Sequence, residues 1–578
     1  MMNRGVAIRY GDVAPEAKEN FVPTASESEF DTLSQLQQYN LNFQNYANPC
    51  ELYQTVLDGT ALAFPSNLQN QNLGLWSQQI SNDNGEFANP IVLELEAEGI
   101  YSSRGLTLTF DTANGIFATS VSVKWLRIVD DEITVLSEKD FSPNSSVYFF
   151  DNKVDYYNKI VITFYSINMP RNRLKLRSID YGYGTVFYGG ELKNVRLIQE
   201  IDPISTQISI NTTDFTLDSN GGIEYSFQER QPLNVYFNGN LISTSFVKKG
   251  TRKTKKIWQI QGEDYIGLLD SIPYYGGIYT NKNAVELLTD IFTIAKVPFK
   301  IDDAFADAVV TGYIPYTTCR DALMQVAFAI QAVVDTSNSE VVDVFALDEE
   351  IKQTIPLSRI KQGQNFTDEE TVTGVEVTAH YYKPTAETRD VYDANESGVG
   401  KNIFIKFSEP LHDLSISNGE IIESGTNYAV INANEKCILT GQKFDHTTQT
   451  KRKNNPLVLA SELEKIIAID KATLVSRQNI DNVLEKCYNW LTITRAINLD
   501  IVEGKHVVYG DYVKYGEKKY GEFKFGERNK NSVVYDAPVN VGDRIAVETE
   551  YLGNIDGIVT KQTFNLNGNI IVKKTIMR

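Results

Sequence analysis

Six short apolar runs, evenly spaced and parted by turn residues, constrain this chain more than any other feature. They are IVLEL (91–95), LTLTF (106–110), ATSVSVKWL (118–126), EITVL (132–136), SVYFF (146–150) and KIVITFY (159–165). DTANG, VDDE, SPNS and MPRN separate them, and these residues favour turns for backbone reasons. In SVSVKW the apolar residues Val121, Val123 and Trp125 alternate, which is the period of a strand with one buried face. Strands at this spacing predict an antiparallel β-sandwich over 46–185.

The rest of the chain changes rhythm several times. Residues 1–45 hold APEAKEN and a Gln/Asn-rich run, QLQQYNLNFQNYANP, without strong periodicity. This reads as an arm that orders against a partner. Residues 186–275 read as a meander of hairpins, with a turn signal at Asn238-Gly239-Asn240. Two helical stripes follow in 276–370. Val285, Leu288, Phe292 and Ala295 share one face, and so do Leu323, Val326, Ala327 and Ile330. Thr318 with Asp321 three residues on has capping-box spacing. Strands return over 371–578, interrupted by a helix at about 476–492 with Ser476 as its expected N-cap.

Composition narrows the chemistry. With 578 residues the length prior gives three to five domains. Tyr (31) and Phe (28) far outnumber Met (5), which suits β structure. A net charge of −19 disfavours sequence-specific nucleic-acid binding. No apolar run reaches the roughly 18 residues of a membrane span, and no secretory h-region is expected at the start. Cys50, Cys319, Cys437 and Cys487 lie far apart, so reduced thiols are expected, with Cys319 and Cys487 buried in helices. His380, His412, His446 and His506 fall in separate segments. No phosphate loop, HExxH or GxSxG occurs. These readings predict no catalytic residue, no metal site and no cofactor.

Three stretches are candidate sites. The first is LWSQQISNDNGE, where Trp76 with Asp83 and Glu86 suits glycan stacking and hydrogen bonding. The bland alternative is a turn that feeds Ile91, Leu93 and Leu95 into a core around Trp76. Calcium on the same oxygens is a third reading, though the DxDxDG loop is absent. The second is KKGTRKTKK, with six positive charges at Lys248, Lys249, Arg252, Lys253, Lys255 and Lys256. It suits an acidic patch on a neighbouring subunit, or else an edge guarded by lysines. The third is YGEKKYGEFKFGE, which spaces Tyr515, Tyr520 and Phe525 five residues apart. That period fits neither strand nor helix, so it reads as a loop showing aromatics to another subunit.

The run from Phe215 to Tyr274 resembles the first barrel of the tail-hub proteins of phages and related contractile injection particles. The matching residues are Gln231-Pro232-Leu233, Val235-Tyr236, Asn238-Gly239, Gly262, Asp264-Tyr265-Ile266 and Leu268-Leu269-Asp270. Arg320-Asp321-Ala322-Leu323 is similar to the family's second helix, and VGDRIAVETEYLGNIDGIVTKQTFNLNG looks like closing hairpins of a second barrel. The region 46–185 resembles a discoidin-like, galactose-binding-like sandwich. The resemblance implies a mainly β, multidomain chain: an N-terminal β-sandwich, then two hub-type antiparallel β-barrels with an inserted α/β region. Their expected bounds are 186–275, 276–370 and 371–578. It also implies a homotrimeric ring joining tail tube and distal tail or baseplate proteins to a spike or tip, in a virion tail assembled in the bacterial cytoplasm. A host-surface glycan is a further expected partner of the sandwich. Two rivals stay open in the residues themselves, a cell-surface glycan-binding adhesin and a glycan hydrolase or lyase.

Overall fold

The alternation in SVSVKW becomes the strand Ala118–Val129, in which Val121, Val123 and Trp125 are all buried. This computed structural model describes residues 6–12, 17, 20–26, 45–47, 61–63, 74–112, 114–129, 132–219, 227, 229–237, 240–361, 365–368, 370–393, 400–456, 464–493, 495–502, 505–508, 532–535, 539–549, 553–566 and 571–577. The protein is mainly β and multidomain, as the strand and turn spacing predicts. Among the described residues its sheets are antiparallel for the most part, and none closes on itself. The chain divides into two compact units: Met1–Lys193 with Thr216–Gly262, and Asn194–Phe215 with Glu263–Arg578.

In the first unit a seven-stranded sheet is built around two long strands, Glu86–Phe110 and Val147–Ile167. Each fuses two of the runs read as separate strands. The pairing between them shifts register near residues 96–105, so irregularities within continuous strands join the paired runs. Ala118–Val129 pairs with Val147–Ile167, and Glu132–Phe141 pairs in turn with Ala118–Val129. The inward set Ile91, Leu93, Leu95, Leu108, Phe110, Val123, Trp125, Ile160, Ile162 and Phe164 forms one core.

The start of the chain departs from the expected arm. Val6–Asp12 is a strand between Tyr183–Tyr188 and Pro232–Phe237, with Ile8 and Tyr10 buried. Phe21 is also buried and stacks on Tyr181, with ring centres 4.5 Å apart. Val6, Ile8 and Tyr10 alternate over only one short run, and their own chain supplies the partners. Asn240–Arg252 and Ile257–Glu263 extend that sheet. Pro232–Phe237 and Asn240–Arg252 form the expected hairpin, with Phe237 opposite Asn240; residues 238 and 239 lie outside the described residues.

In the second unit the helices Ala284–Ala295 and Cys319–Ile330 bury Leu288, Phe292, Leu323 and Val326 in one core. The Thr318 hydroxyl accepts the Asp321 amide at 3.2 Å. Asp321 does not complete the reciprocal box; its carboxylate accepts the Thr317 hydroxyl at 2.9 Å instead. A five-stranded sheet centres on Gly374–Asp393 and Tyr428–Asn454, and the helix Ile480–Leu491 shares a core with it. That helix starts later than expected. Its N-cap is Asn479, and Ser476 lies in the turn before it, where its amide donates to Asn479 Oδ1 at 2.8 Å. Cys319, Cys437 and Cys487 are buried free thiols, and burial pushes the Cys319 thiol up to about 11. Cys50 lies outside the described residues.

Candidate functional site

Trp76 ends the two-residue strand Leu75–Trp76, paired with Lys175–Asp180 so that Trp76 lies opposite Lys175. Only 1% of its surface is exposed. The ammonium of Lys175 sits 4.6 Å from the ring centre, a close cation–π contact. Buried and covered in this way, Trp76 offers no open ring face on which a surface sugar could stack. Trp76 packs against the Lys175 ammonium, while Ile91, Leu93 and Leu95 enter the hydrophobic core of the sheet.

Asp83 and Glu86 lie in the following turn, exposed and apart from the buried indole. Asn82 organises that turn. Its Oδ1 accepts the Asn84 amide at 2.8 Å and the Glu86 amide at 3.0 Å, and its backbone N–H donates to Glu86 O at 2.8 Å. Gly85 has φ +83°, and a Cβ there would come within 2.3 Å of Ile167 O, so glycine is required. Asp83 pairs with Arg171 at 2.5 Å, which holds its carboxyl below the usual range. Glu86 accepts from Asn82 Nδ2 at 3.2 Å. SNDNGE is therefore a side-chain-braced turn. Among the described residues no group of three or more His, Cys, Asp or Glu gathers to hold a metal.

Beneath Trp76 lies a buried charge cluster that the sequence reading did not single out. Asp111, Lys175 and Arg177 are all buried. Asp111 is 3.7 Å from the Lys175 ammonium and 3.6 Å from the Arg177 guanidinium, and it accepts Asn114 Nδ2 at 2.8 Å. Lys175 and Arg177 are two residues apart and so lie on one face of the strand Lys175–Asp180. That strand is buried on both faces. Two cations around one carboxylate need that carboxylate to be tolerable away from water.

The basic hairpin concentrates six cations in nine residues. Lys248, Lys249, Arg252, Lys253, Lys255 and Lys256 are all exposed along the end of Asn240–Arg252 and the turn beyond it. Thr254 builds that turn, its hydroxyl accepting the Lys256 and Ile257 amides at 3.3 and 3.1 Å. The Arg252 guanidinium lies 5.4 Å from the Trp258 ring centre, and Trp258 meets Phe227 edge-on at 5.3 Å. The stem is thus anchored in aromatic packing while the tip carries the charge. Tyr515, Tyr520 and Phe525 lie outside the described residues.

The Asp264-Tyr265-Ile266 segment of the resemblance has a structural role. Buried Asp264 caps the helix Tyr265–Leu269, accepting the Ile266 and Gly267 amides at 3.0 and 3.3 Å. Its other oxygen accepts the Asn211 amide at 3.1 Å and the Thr336 hydroxyl at 2.5 Å. Burial pushes this carboxyl up to about 7 against the pull of those donors, and burial raises neighbouring Asp335 to about 6.

No family model matches the chain, and no curated protein matches it. Among solved structures it is similar to a tail protein from Neisseria meningitidis MC58, at 10% identity over 68% of this chain and 94% of that one, with a TM-score of 0.39. It is similar to the 43 kDa tail protein of prophage MuSo2 from Shewanella oneidensis, at 6% identity over 68% and 95%, with a TM-score of 0.40. It is also similar to the family 32 carbohydrate-binding module of NanJ from C. perfringens, solved with galactose, at 13% identity over 31% and 99%, with a TM-score of 0.18.

Proposed function

We propose that this protein is a structural hub of a phage tail or contractile injection particle. On this reading it forms a homotrimeric ring between tail tube and spike or tip, and no residue performs chemistry. One observation carries the reading. The residues of the resemblance fall in defined elements: Gln231-Pro232-Leu233 and Val235-Tyr236 lead into and lie on the strand Pro232–Phe237, Asp264-Tyr265-Ile266 caps and opens the helix Tyr265–Leu269, and Arg320-Asp321-Ala322-Leu323 lies on the helix Cys319–Ile330. Within those elements the resemblance residues have structural work. Leu233 and Val235 point into a core and Asp264 caps a helix.

The basic hairpin supports the same reading. A rigid stem with an exposed cationic tip suits docking on an acidic neighbour, and a chain of net charge −19 offers acidic surface on its own copies. The turn geometry around Asp83 and Glu86, with Trp76 buried, favours a spacer role for the sandwich. The mass of the purified full chain in solution tests the proposal, together with its stoichiometry in tail particles. A threefold mass, or three copies per particle, is the expected result. A chain that stays monomeric at high concentration and is absent from tail particles in threes overturns it.

A further inference from the structure

Four aromatic rings come together on the surface of the second unit, from four segments that nothing in the sequence links. Tyr275 follows the strand Pro273–Tyr274, Tyr316 precedes Thr317–Thr318, Phe404 lies on Gly400–Lys406, and Tyr428 opens Tyr428–Asn454. Tyr275 stacks on Tyr428 with ring centres 4.4 Å apart, and Phe404 on Tyr428 at 5.6 Å. Tyr316 closes the group, 5.7 Å from Tyr275 and 5.9 Å from Phe404. Tyr275 and Phe404 nonetheless keep 42% and 45% of their surface exposed.

The platform is held from below by a buried amide. Asn427 donates from Nδ2 to Tyr275 O at 2.7 Å and to Ile314 O at 2.9 Å, and its Oδ1 accepts the Tyr313 hydroxyl at 2.8 Å. Gly276 has φ +65°, and a Cβ there would meet Ile314 O at 2.2 Å, so the loop that presents Tyr275 closes tightly on its neighbour. The backbone that presents Tyr275 is therefore held by hydrogen bonds from the Asn427 amide.

We propose that this platform binds an uncharged saccharide, with a pyranose C–H face laid on Tyr275 and Phe404. Among the described residues, a cation and a carboxylate lie beside the rings. The Lys406 ammonium lies 4.3 Å from the Tyr316 ring centre, and Glu423 accepts the Tyr428 hydroxyl at 2.5 Å. One donor and one acceptor beside an aromatic face satisfy the hydroxyls of a neutral polyol, whereas an ionic ligand would leave one of them opposed. The site is distinct from the Trp76 turn of the sandwich and does not depend on the hub reading.

The test uses the full chain with maltoheptaose, cellohexaose and an N-acetylglucosamine hexamer as probes, read by saturation-transfer NMR and calorimetry. At least one probe should bind, and Tyr275→Ala or Phe404→Ala should weaken it by about tenfold or more. Melting should be unchanged, and Trp76→Phe should leave binding intact. If Tyr275→Ala melts early, Phe404→Ser on the exposed ring replaces it. The proposal is overturned if no probe binds, if the platform variants bind like the parent, or if they alter the oligomeric mass, which would make the patch a contact between copies.

Discussion

The Lys175 ammonium rests 4.6 Å from the centre of the Trp76 ring and 3.7 Å from the Asp111 carboxylate. One buried cation thus links the short strand Leu75–Trp76 to the Asp111 carboxylate. The indole covers a charge that water cannot reach, so losing it removes both packing and shielding. Trp76→Ala is expected to destabilise the first unit by about 3–5 kcal/mol, and Trp76→Phe by less. Denaturant unfolding followed by the other tryptophans reads this, and an unchanged midpoint for Trp76→Ala contradicts it.

The charge cluster below Trp76 gives a second expectation. Asp111→Asn removes a buried negative charge from beside Lys175 and Arg177. Breaking a buried pair in this way costs about 3–5 kcal/mol. Asp111→Asn combined with Lys175→Met should recover part of the loss, measured as a rise in melting temperature over the single variant. No recovery would show that Asp111 acts through its turn and its bond to Asn114 alone.

Asp264 makes the second unit sensitive to pH in a direction unusual for a carboxylate. Its folded pKa, about 7, lies above the ordinary 3.8. The folded state therefore holds the proton more tightly than the unfolded chain. The associated stability is complete below about pH 4 and is lost as pH rises through 7. Amide exchange of a peptide spanning 263–270, corrected for intrinsic rate, should show weaker protection at about pH 8 than at about pH 5. Asp264→Asn should flatten that trend, since an amide does not titrate. A steeper trend in the variant would contradict the assignment.

The basic tip is exposed and its turn is made by Thr254, so its charges can be changed without touching the core. Reversal to Glu at Lys253, Lys255 and Lys256 should leave melting within about 0.5 kcal/mol of the parent. It should weaken assembly, and more so at low salt, where screening is least. Light scattering at two ionic strengths reads both. Assembly that is indifferent to the change leaves the lysines as guards of a strand edge.

Periodicity was legible wherever it acts locally. Val121, Val123 and Trp125 alternate and are buried; Leu288 with Phe292, and Leu323 with Val326, follow a helical stripe and are buried; Thr318 caps its helix. Each depends on residues within a few positions of one another, so the sequence alone specifies it. Which strand lies beside which was not legible. Val6–Asp12 pairs with residues 183–188 and 233–237, and Arg196–Glu200 pairs with Lys561–Asn565 across almost the whole second unit. Alternation marks a buried face but carries no address for its partner, because many strands offer equivalent ladders. The same gap hid the chemistry. Lys175 and Arg177 give no sign of burial until Asp111 is brought beside them, and Tyr275, Tyr316, Phe404 and Tyr428 look like scattered aromatics until the fold brings their segments together. Only the packing of distant segments sets what is buried, what is charged in the dark and what is left facing water.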